Sequence, residues 1–533
     1  MSNNKSSLAV LVIKYFLIIF FLVFTIIPLC IMLSHIKDAD FKEIFTSVSF
    51  IKALRNSFVS SITATVITVL LSLTVSLCIR RTDIKFKSFF LTVFTLPMLL
   101  PSVSHAFGLI LLFGSNGILT RLLHLSSNIY GFKGVVGALV LYSFPLATLM
   151  FCDVMRYEDY TQYESAEVLG ISKIRQFISI TLPFLKKPLL TIFFAVFTMT
   201  FTDYGVPLMI GSKYMTLPVI MYNEVIGMLD FAKGSVIACI LLLPCLFSFI
   251  IQKRQITENL PLNRKNVRET SSFTVRTASY LFCIFTALII SLIMLSFIYV
   301  SFIVKYPQNT SFTLNNFKSI VGIGRVKYLL HSLVISLFTS IIGTSVAFVS
   351  SYLTTRIKTS PGHLLHFIIV STIAVPGVVL GLSYAFAFKQ TPIYGTLFIL
   401  IAVNTVHFVA SPYLMISSSL RKLNENIENV GFTLGISRFR IVKDVILPLS
   451  SLTLIEMFTY FFVNTMVTVS AVSFLTSSSN MVLSLMINQF RAQLLLESAA
   501  AISFVIFLIN ILLKVFFFFA KKVIRKKGYS VLY

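Results

Sequence analysis

Two stretches of the chain repeat one pattern of residue types. The first reads Y-E-S-A-E-V-L-G-I-S-K-I-R-Q-F-I-S-I-T-L-P from Tyr163 to Pro183, and the second reads E-N-V-G-F-T-L-G-I-S-R-F-R-I-V-K-D-V-I-L-P from Glu428 to Pro448. Both contain L-G-I-S, a basic residue, one free position, an arginine and finally L-P, with the same interval from Gly170 to Pro183 as from Gly435 to Pro448. The chemistry this spacing supports is mechanical rather than catalytic. Glu164 to Leu169 contains helix formers, Gly170 and Gly435 permit a left-handed turn, and Ser172 can cap a second helix. Lys173 and Arg175 suit lipid headgroups, and Pro183 or Pro448 can open the next helix, where a missing amide costs little. A short helix set on a glycine turn makes a rigid knob for a socket on a partner.

Other reactive residue types form no such pattern. The six cysteines (Cys30, Cys78, Cys152, Cys239, Cys245 and Cys283) contain no CxxC pair, so neither a disulfide framework nor a zinc site is indicated. The seven histidines are scattered, and no metal or cofactor is expected. No G-x-x-x-x-G-K-[ST] phosphate loop occurs, the nearest approach being Gly205 to Lys213 with the wrong spacing. The chain is therefore not expected to be an enzyme that hydrolyses ATP on its own.

The elements that must carry the two knobs are membrane spans. Of 533 residues, 56% are hydrophobic, 14% aromatic and 12% charged, against roughly 45 to 50% apolar in a soluble domain. Apolar runs predict spans near 10–34, 56–79, 88–113, 134–153, 189–211 and 234–251, then 278–303, 329–353, 364–388, 396–418, 451–475 and 498–520. These runs are continuous rather than alternating, which favours helices over a barrel. The first run is too long for a signal core and lacks a small-x-small cleavage site, so it is expected to persist as the first helix. The net charge of +25 falls largely in every second loop, as in Arg80, Arg81, Lys85 and Lys87, or Lys521, Lys522, Arg525, Lys526 and Lys527. That placement marks the cytoplasmic side, puts both termini there, and accounts for the excess without nucleic acid.

The spans fall into two copies. Ser57 and Ser332 are 275 residues apart (332 − 57), as are Arg81 and Arg356 (356 − 81). Pro97, Ala106 and Phe107 match Pro376, Ala385 and Phe386 at 279 (376 − 97), and Gly170 and Pro183 match Gly435 and Pro448 at 265 (435 − 170). The first half is expected to carry an extra external stretch around 118–132. The expected fold is an all-α polytopic membrane protein of about twelve helices in two tandem parallel six-helix units. The units are 1–252 and 277–533, joined by a polar, basic linker at 253–276, with the knob-bearing loops at 154–188 and 419–450.

The repeated frame resembles the E-A-A-x-x-x-G-x(9)-I-x-L-P signature of permeases in bacterial ABC importers, the inner-membrane components of binding-protein-dependent transport systems. Glu164, Ser165 and Ala166 stand at the E-A-A positions of the first loop, Gly170 at the glycine, and Ile180, Leu182 and Pro183 at the end. In the second loop Asn429, Val430 and Gly431 replace E-A-A and Val445 replaces the isoleucine, while Gly435, Leu447 and Pro448 are kept. The resemblance implies that each loop docks an ABC ATPase subunit, hence two ATPase copies, with an extracytoplasmic solute-binding protein on the other side of a bacterial inner membrane. The stretches F-T-D-Y-G-V-P-L-M-I-G (Phe201 to Gly211) and N-T-M-V-T-V-S-A-V-S-F-L (Asn464 to Leu475) are similar to the ferric iron and 2-aminoethylphosphonate branch, with F-T-D-Y-G-V-P leaning toward the phosphonate members, so the resemblance implies a small anion or metal species as solute.

Candidates for the pathway are Asp203, Tyr204, His105, Tyr384, Thr468 and Ser470. Asp203 precedes Gly205 and Pro207, where a helix should break. Two readings stand for it: it lines the pathway, or it caps a helix end or pairs with an external lysine. His105 has the alternative of simple packing. Pro97 and Pro376 are expected to kink equivalent helices. The competing architecture is a secondary transporter of six plus six helices. Its G-x-x-x-D-R type motif between spans two and three is not matched by C-I-R-R-T-D-I-K-F-K, which lacks the glycine.

Overall fold

A computed structural model describes residues 2–124, 129–255, 272–322, 326–357 and 360–526. The expected linker lies mostly outside these residues, with Pro261, Arg264, Lys265 and Arg268, and so does Lys527. Hydrocarbon offers backbone amides no partner, so the apolar runs close their hydrogen bonds within helices. Among the described residues nine helices are long and apolar enough to cross a membrane, and three bent pairs raise the count to twelve. The first six spans are Val10–Asp38, Val48–Arg81, Ser102–Leu122 preceded by Lys87–Leu99, Phe132–Tyr157, Lys173–Phe201 and Phe231–Ile251. The second six are Phe273–Ser301, Val326–Thr355, the pair Pro361–Ala374 and Gly377–Phe388, the pair Leu397–Phe408 and Ala410–Arg421, the pair Arg438–Leu449 and Ser451–Val467, and Leu496–Arg525. These are the two tandem permease-like units expected from the sequence.

Several spans are broken where the sequence suggested a continuous run. In the first half the third span stops at Leu99 and resumes at Ser102 after Pro101. In the second, the ninth bends by 111° between Ala374 and Gly377, across Pro376. Pro101 and Pro376 both occupy the position before the outer helix, 275 residues apart (376 − 101). The sequence offset of 279, built on Pro97, is therefore corrected to 275. The same shift relates Ser57 to Ser332, so all the length change falls in the external connection that follows. Proline favours this position because it presets φ and cannot continue a preceding helix. The fourth and tenth spans begin at Phe132 and Leu397, at an offset of 265 (397 − 132). The fifth ends at Phe201, with Gly205–Ile210 as a separate short helix, and the eleventh ends at Val467 rather than near 475.

Matching contacts confirm the duplication at side-chain level. The Ser57 hydroxyl accepts from the Leu217 N–H at 2.8 Å, and the Ser332 hydroxyl accepts from the Leu483 N–H at 2.8 Å. Each bond satisfies an amide at the start of a helix on the outer side, where an unpaired donor would be costly. A two-stranded antiparallel hairpin, Ile303–Lys305 with Asn309–Phe312, stands on the outer side of the second half.

The halves interlock through their first spans. Span one packs on spans eight and nine: Lys14 Nζ donates to the Ile357 carbonyl at 3.0 Å, and the Tyr384 hydroxyl donates to the Phe24 carbonyl at 2.6 Å. Phe24 lies in the π-turn Leu22–Ile26, where the widened helix leaves a carbonyl available. Span seven packs on the first half in return. The Lys85 N–H donates to the Tyr280 hydroxyl at 2.5 Å, and the Phe107 and Phe297 rings lie 5.9 Å apart. Close packing of small residues holds the helices together, since lipid gives apolar surfaces little reason to associate. At Gly381 a Cβ would meet the Ala471 carbonyl oxygen at 2.5 Å, and backbone cannot swing aside as a side chain can. Gly381→Ile is expected to lower stability by about 1–3 kcal/mol, read as a lower melting temperature of the detergent-solubilised protein.

Candidate functional site

The two repeated loops fold alike. Helix Thr161–Val168 ends at Gly170 with φ +68°, and helix Ile427–Thr433 ends at Gly435 with φ +70°. In the first, the Ile171 N–H donates to the Ala166 carbonyl at 2.9 Å and the Gly170 N–H to the Glu167 carbonyl at 3.0 Å. In the second, Ile436 donates to Gly431 at 2.8 Å and Gly435 to Phe432 at 3.1 Å. This paired closure satisfies the last carbonyls of the helix and needs a left-handed residue, which is why both positions are glycine. Ser172 and Ser437 do stand at the start of the next short helix, but neither side chain makes a capping bond, so the sequence expectation for Ser172 is corrected. A π-turn follows in each loop, Phe177–Thr181 and Val442–Ile446, directly ahead of Leu182-Pro183 and Leu447-Pro448. The wider turn accommodates the proline, which has no amide to give and would crowd an ordinary turn.

Each loop turns one side inward and another outward. Ala166 and Gly431 are buried at equivalent positions, and a Cβ on Gly431 would lie 2.4 Å from Ile441 Cδ1. Glu164, Ser165 and Asn429 are exposed. So are large apolar side chains: Leu169 is 75% exposed and Leu434 70%, while Ile174 and Phe439 are each 77% exposed. Nothing lies within 4 Å of a Cβ built on Gly170 or Gly435. Beside the second loop is a largely apolar cleft of about 430 Å³ lined by residues including Ile427, Val430 and Leu434.

An arginine at the end of a span, on the side of the repeated loops, anchors each loop. Arg81 closes span two and donates through Nη2 to Glu158, to the Tyr163 hydroxyl at 2.6 Å and to Thr181 Oγ1 at 2.9 Å. Burial, reinforced by the hydrogen bond to Glu158, pushes the Tyr163 hydroxyl up to about 12. Arg356 follows span eight. Its Nε donates to Glu428 Oε1 at 2.8 Å and its Nη2 to Glu428 Oε2, while its remaining donors reach the Leu423 carbonyl at 2.9 Å and the Asn424 carbonyl at 2.7 Å. The bond to Glu428 raises the Arg356 pKa above its ordinary value. Both oxygens of Glu428 thus face inward, and the carboxylate one place before Asn429 is committed to its own span. Sequence reading placed Arg81 among the charges marking the cytoplasm and matched it to Arg356. The partner acids, 77 and 72 residues away, gave no local signal.

Of the pathway candidates, Tyr384 and Tyr204 meet residues of the other half, and the hydrogen bonds of Asp203, His105 and Thr468 stay within their own. Asp203 is buried and accepts from the Val206 N–H at 2.7 Å, capping the short helix Gly205–Ile210. Tyr204 packs against Tyr222 with ring centroids 4.8 Å apart and planes tilted by 38°, and it lines an outer cleft. His105 is buried, its Nδ1 3.1 Å from the Pro101 carbonyl, with its other nitrogen unpartnered. Tyr384 belongs to the contact with span one described above. The Thr468 carbonyl accepts from Ser484 Oγ at 2.6 Å, and Ser470 Oγ would lie 3.0 Å from a Cβ on Gly377. On the outer side two adjoining clefts open, of about 470 and 460 Å³, and both are lined by Leu208 and Arg491.

The profile of the family described as binding-protein-dependent transport system inner membrane component matches twice, at residues 72–257 and 340–527. A putative ferric transport system permease protein of Haemophilus influenzae is 26% identical over 90% of this chain and 80% of its own length. A ferric transport system permease protein of Actinobacillus pleuropneumoniae is 24% identical over 73% of this chain and 59% of its own. Among solved structures, a bacterial alginate ABC transporter in complex with an alginate pentasaccharide-bound periplasmic protein aligns with a TM-score of 0.42 at 16% identity, covering 49% of this chain and 99% of that one.

The arginine anchors make a specific expectation. Arg356→Gln leaves the partly buried Glu428 carboxylate without its cation and is expected to cost about 3 kcal/mol in unfolding experiments. Adding Glu428→Gln should restore part of that loss, because the pair is then removed together; full additivity of the two losses would refute the coupling.

Proposed function

The chain belongs to the binding-protein-dependent transport system inner membrane component family, and we propose that it forms the translocation pathway of an ATP-driven importer whose two cytoplasmic loops each dock a separate ATPase subunit. The single observation carrying this is the duplicated helix, left-handed glycine and helix, with exposed apolar side chains at matching positions Leu169 and Leu434 and again at Ile174 and Phe439. Exposed apolar groups on a rigid mount suit burial against a partner. Closing of the ATPase pair would push both loops, and the arginine anchors would pass that push to spans two and eight, rocking the halves between outward-open and inward-open states.

The remaining partners follow from the same reading. A solute-binding protein delivers cargo on the outer side of a bacterial inner membrane, both termini face the cytoplasm, and neither nucleic acid nor a resident cofactor takes part. The solute is ferric iron, as the names of the two ferric relatives suggest, with 2-aminoethylphosphonate as the second candidate from the Phe201 to Gly211 stretch. The coupling residues are Glu164, Ser165, Ala166, Gly170 and Pro183 in the first loop and Asn429, Gly431, Gly435 and Pro448 in the second.

Gly170→Phe together with Gly435→Phe tests the reading. A Cβ at either position meets no atom within 4 Å, so insertion should survive with a backbone cost of about 1–2 kcal/mol per site, while ATPase copurification and solute uptake are lost. Uptake that persists without ATP but collapses with the proton gradient would instead establish a secondary transporter. The loops should also differ in grip, because Glu164 is a carboxylate where the second loop has Asn429. Cysteines placed beside Glu164 should crosslink to the ATPase in higher yield than those beside Asn429, and equal yields would refute the asymmetry.

A further inference from the structure

The two outer clefts meet at a single cation. Arg491 comes from helix Leu483–Ala492, between spans eleven and twelve, and lines both clefts. It is half-buried and makes no ion pair among the described residues. The polar groups lining the two clefts with it include the amides of Asn223, Asn488 and Gln489 and the hydroxyls of Tyr204 and Tyr222; neither lining contains a carboxylate. Neighbouring acids are engaged elsewhere: Glu224 pairs with Lys233 at 2.8 Å, and Asp203 is turned onto the Val206 N–H. Nor do three His, Cys, Asp or Glu side chains gather anywhere among the described residues as metal ligands.

We propose that this mouth is an anion site, with Arg491 receiving an anionic oxygen group, so that the solute enters as an oxyanion or as a metal carried in an anionic oxygen chelate. A guanidinium offers a planar fork of donors matched to carboxylate, phosphate or phosphonate oxygens, and amide and hydroxyl donors complete the shell. A bare multivalent cation would meet a like charge and no anionic ligand. Tyr204, Tyr222 and Asn223 come from the first half and Arg491, Asn488 and Gln489 from the second, so an anion bridging them senses the relative position of the halves.

This proposal rests on the importer reading, and its test separates the two. The full chain in lipid nanodiscs is titrated with inorganic phosphate and with 2-aminoethylphosphonate, followed by 31P line broadening, and with 13C-citrate in the presence and absence of gallium(III). Binding is expected for wild type, to weaken about tenfold in Arg491→Gln, and to recover partly in Arg491→Lys. Preference for the phosphorus anions identifies an oxyanion solute, and preference for gallium citrate over citrate identifies a chelated metal. ATPase copurification should be the same for wild type and Arg491→Gln. No broadening in wild type, or equal broadening in Arg491→Gln, overturns the anion site whatever the ATPase does. Arg491→Gln that spares anion binding but loses capture of a solute-binding protein overturns it in favour of a protein-docking role. Anion binding with no ATPase capture by wild type sinks only the importer reading.

Discussion

A guanidinium held beneath the repeated loop of each half is the constraint on which the loop geometry rests. A buried arginine without a partner would be untenable, so each half must bring a carboxylate to it, and doing so folds the chain after the fourth or tenth span back against the end of the second or eighth. In the first half the acid is Glu158, ahead of the loop helix, and Tyr163 and Thr181 complete the shell. In the second the acid is Glu428, within the helix, and carbonyls of Leu423 and Asn424 take the place of the hydroxyls. Two different ligand sets hold one geometry. The loop is therefore a continuation of the span and not a pendant connector.

That solution has a consequence for the outward face of the second loop. Because Glu428 is spent on Arg356, the exposed residue beside it in the second loop is Asn429, whereas the first loop solves the inner problem with Glu158 and keeps Glu164 exposed. The inner and outer requirements compete for acids in one half and are separated in the other. The loops match closely in backbone, with φ values of +68° and +70° at their glycines, and differ in charge.

The sequence carried the periodic and local parts of this structure. Twelve apolar runs were legible because lipid imposes length and composition, and Gly170 and Gly435 were legible because a left-handed turn restricts residue type. The breaks were not. A bend of 111° inside an apolar run leaves hydropathy unchanged, so the ninth span read as one piece and Pro97 was matched to Pro376 when Pro101 holds the equivalent position. The arginine anchors escaped for another reason: their partners are distant in sequence, and a basic residue at a span end already had an explanation. Asp203 was singled out by the glycine and proline that follow it, and its carboxylate does meet the amide exposed by that break.

The exchange of first spans also bears on how such a protein is made. Span one leaves the ribosome well before its partners, for the carbonyl that accepts from Lys14 belongs to Ile357, 343 residues later, and Tyr384, which reaches the Phe24 carbonyl, comes later still. Until spans eight and nine are inserted, span one has lipid or an insertion factor where its partner will stand, and the π-turn carbonyl at Phe24 awaits a donor not yet synthesised. Linking both halves in one chain guarantees that the waiting helix and its eventual seat are born in the same place, in a fixed order and in equal number, an assurance that two separately translated subunits would have to obtain by chance encounter in the bilayer.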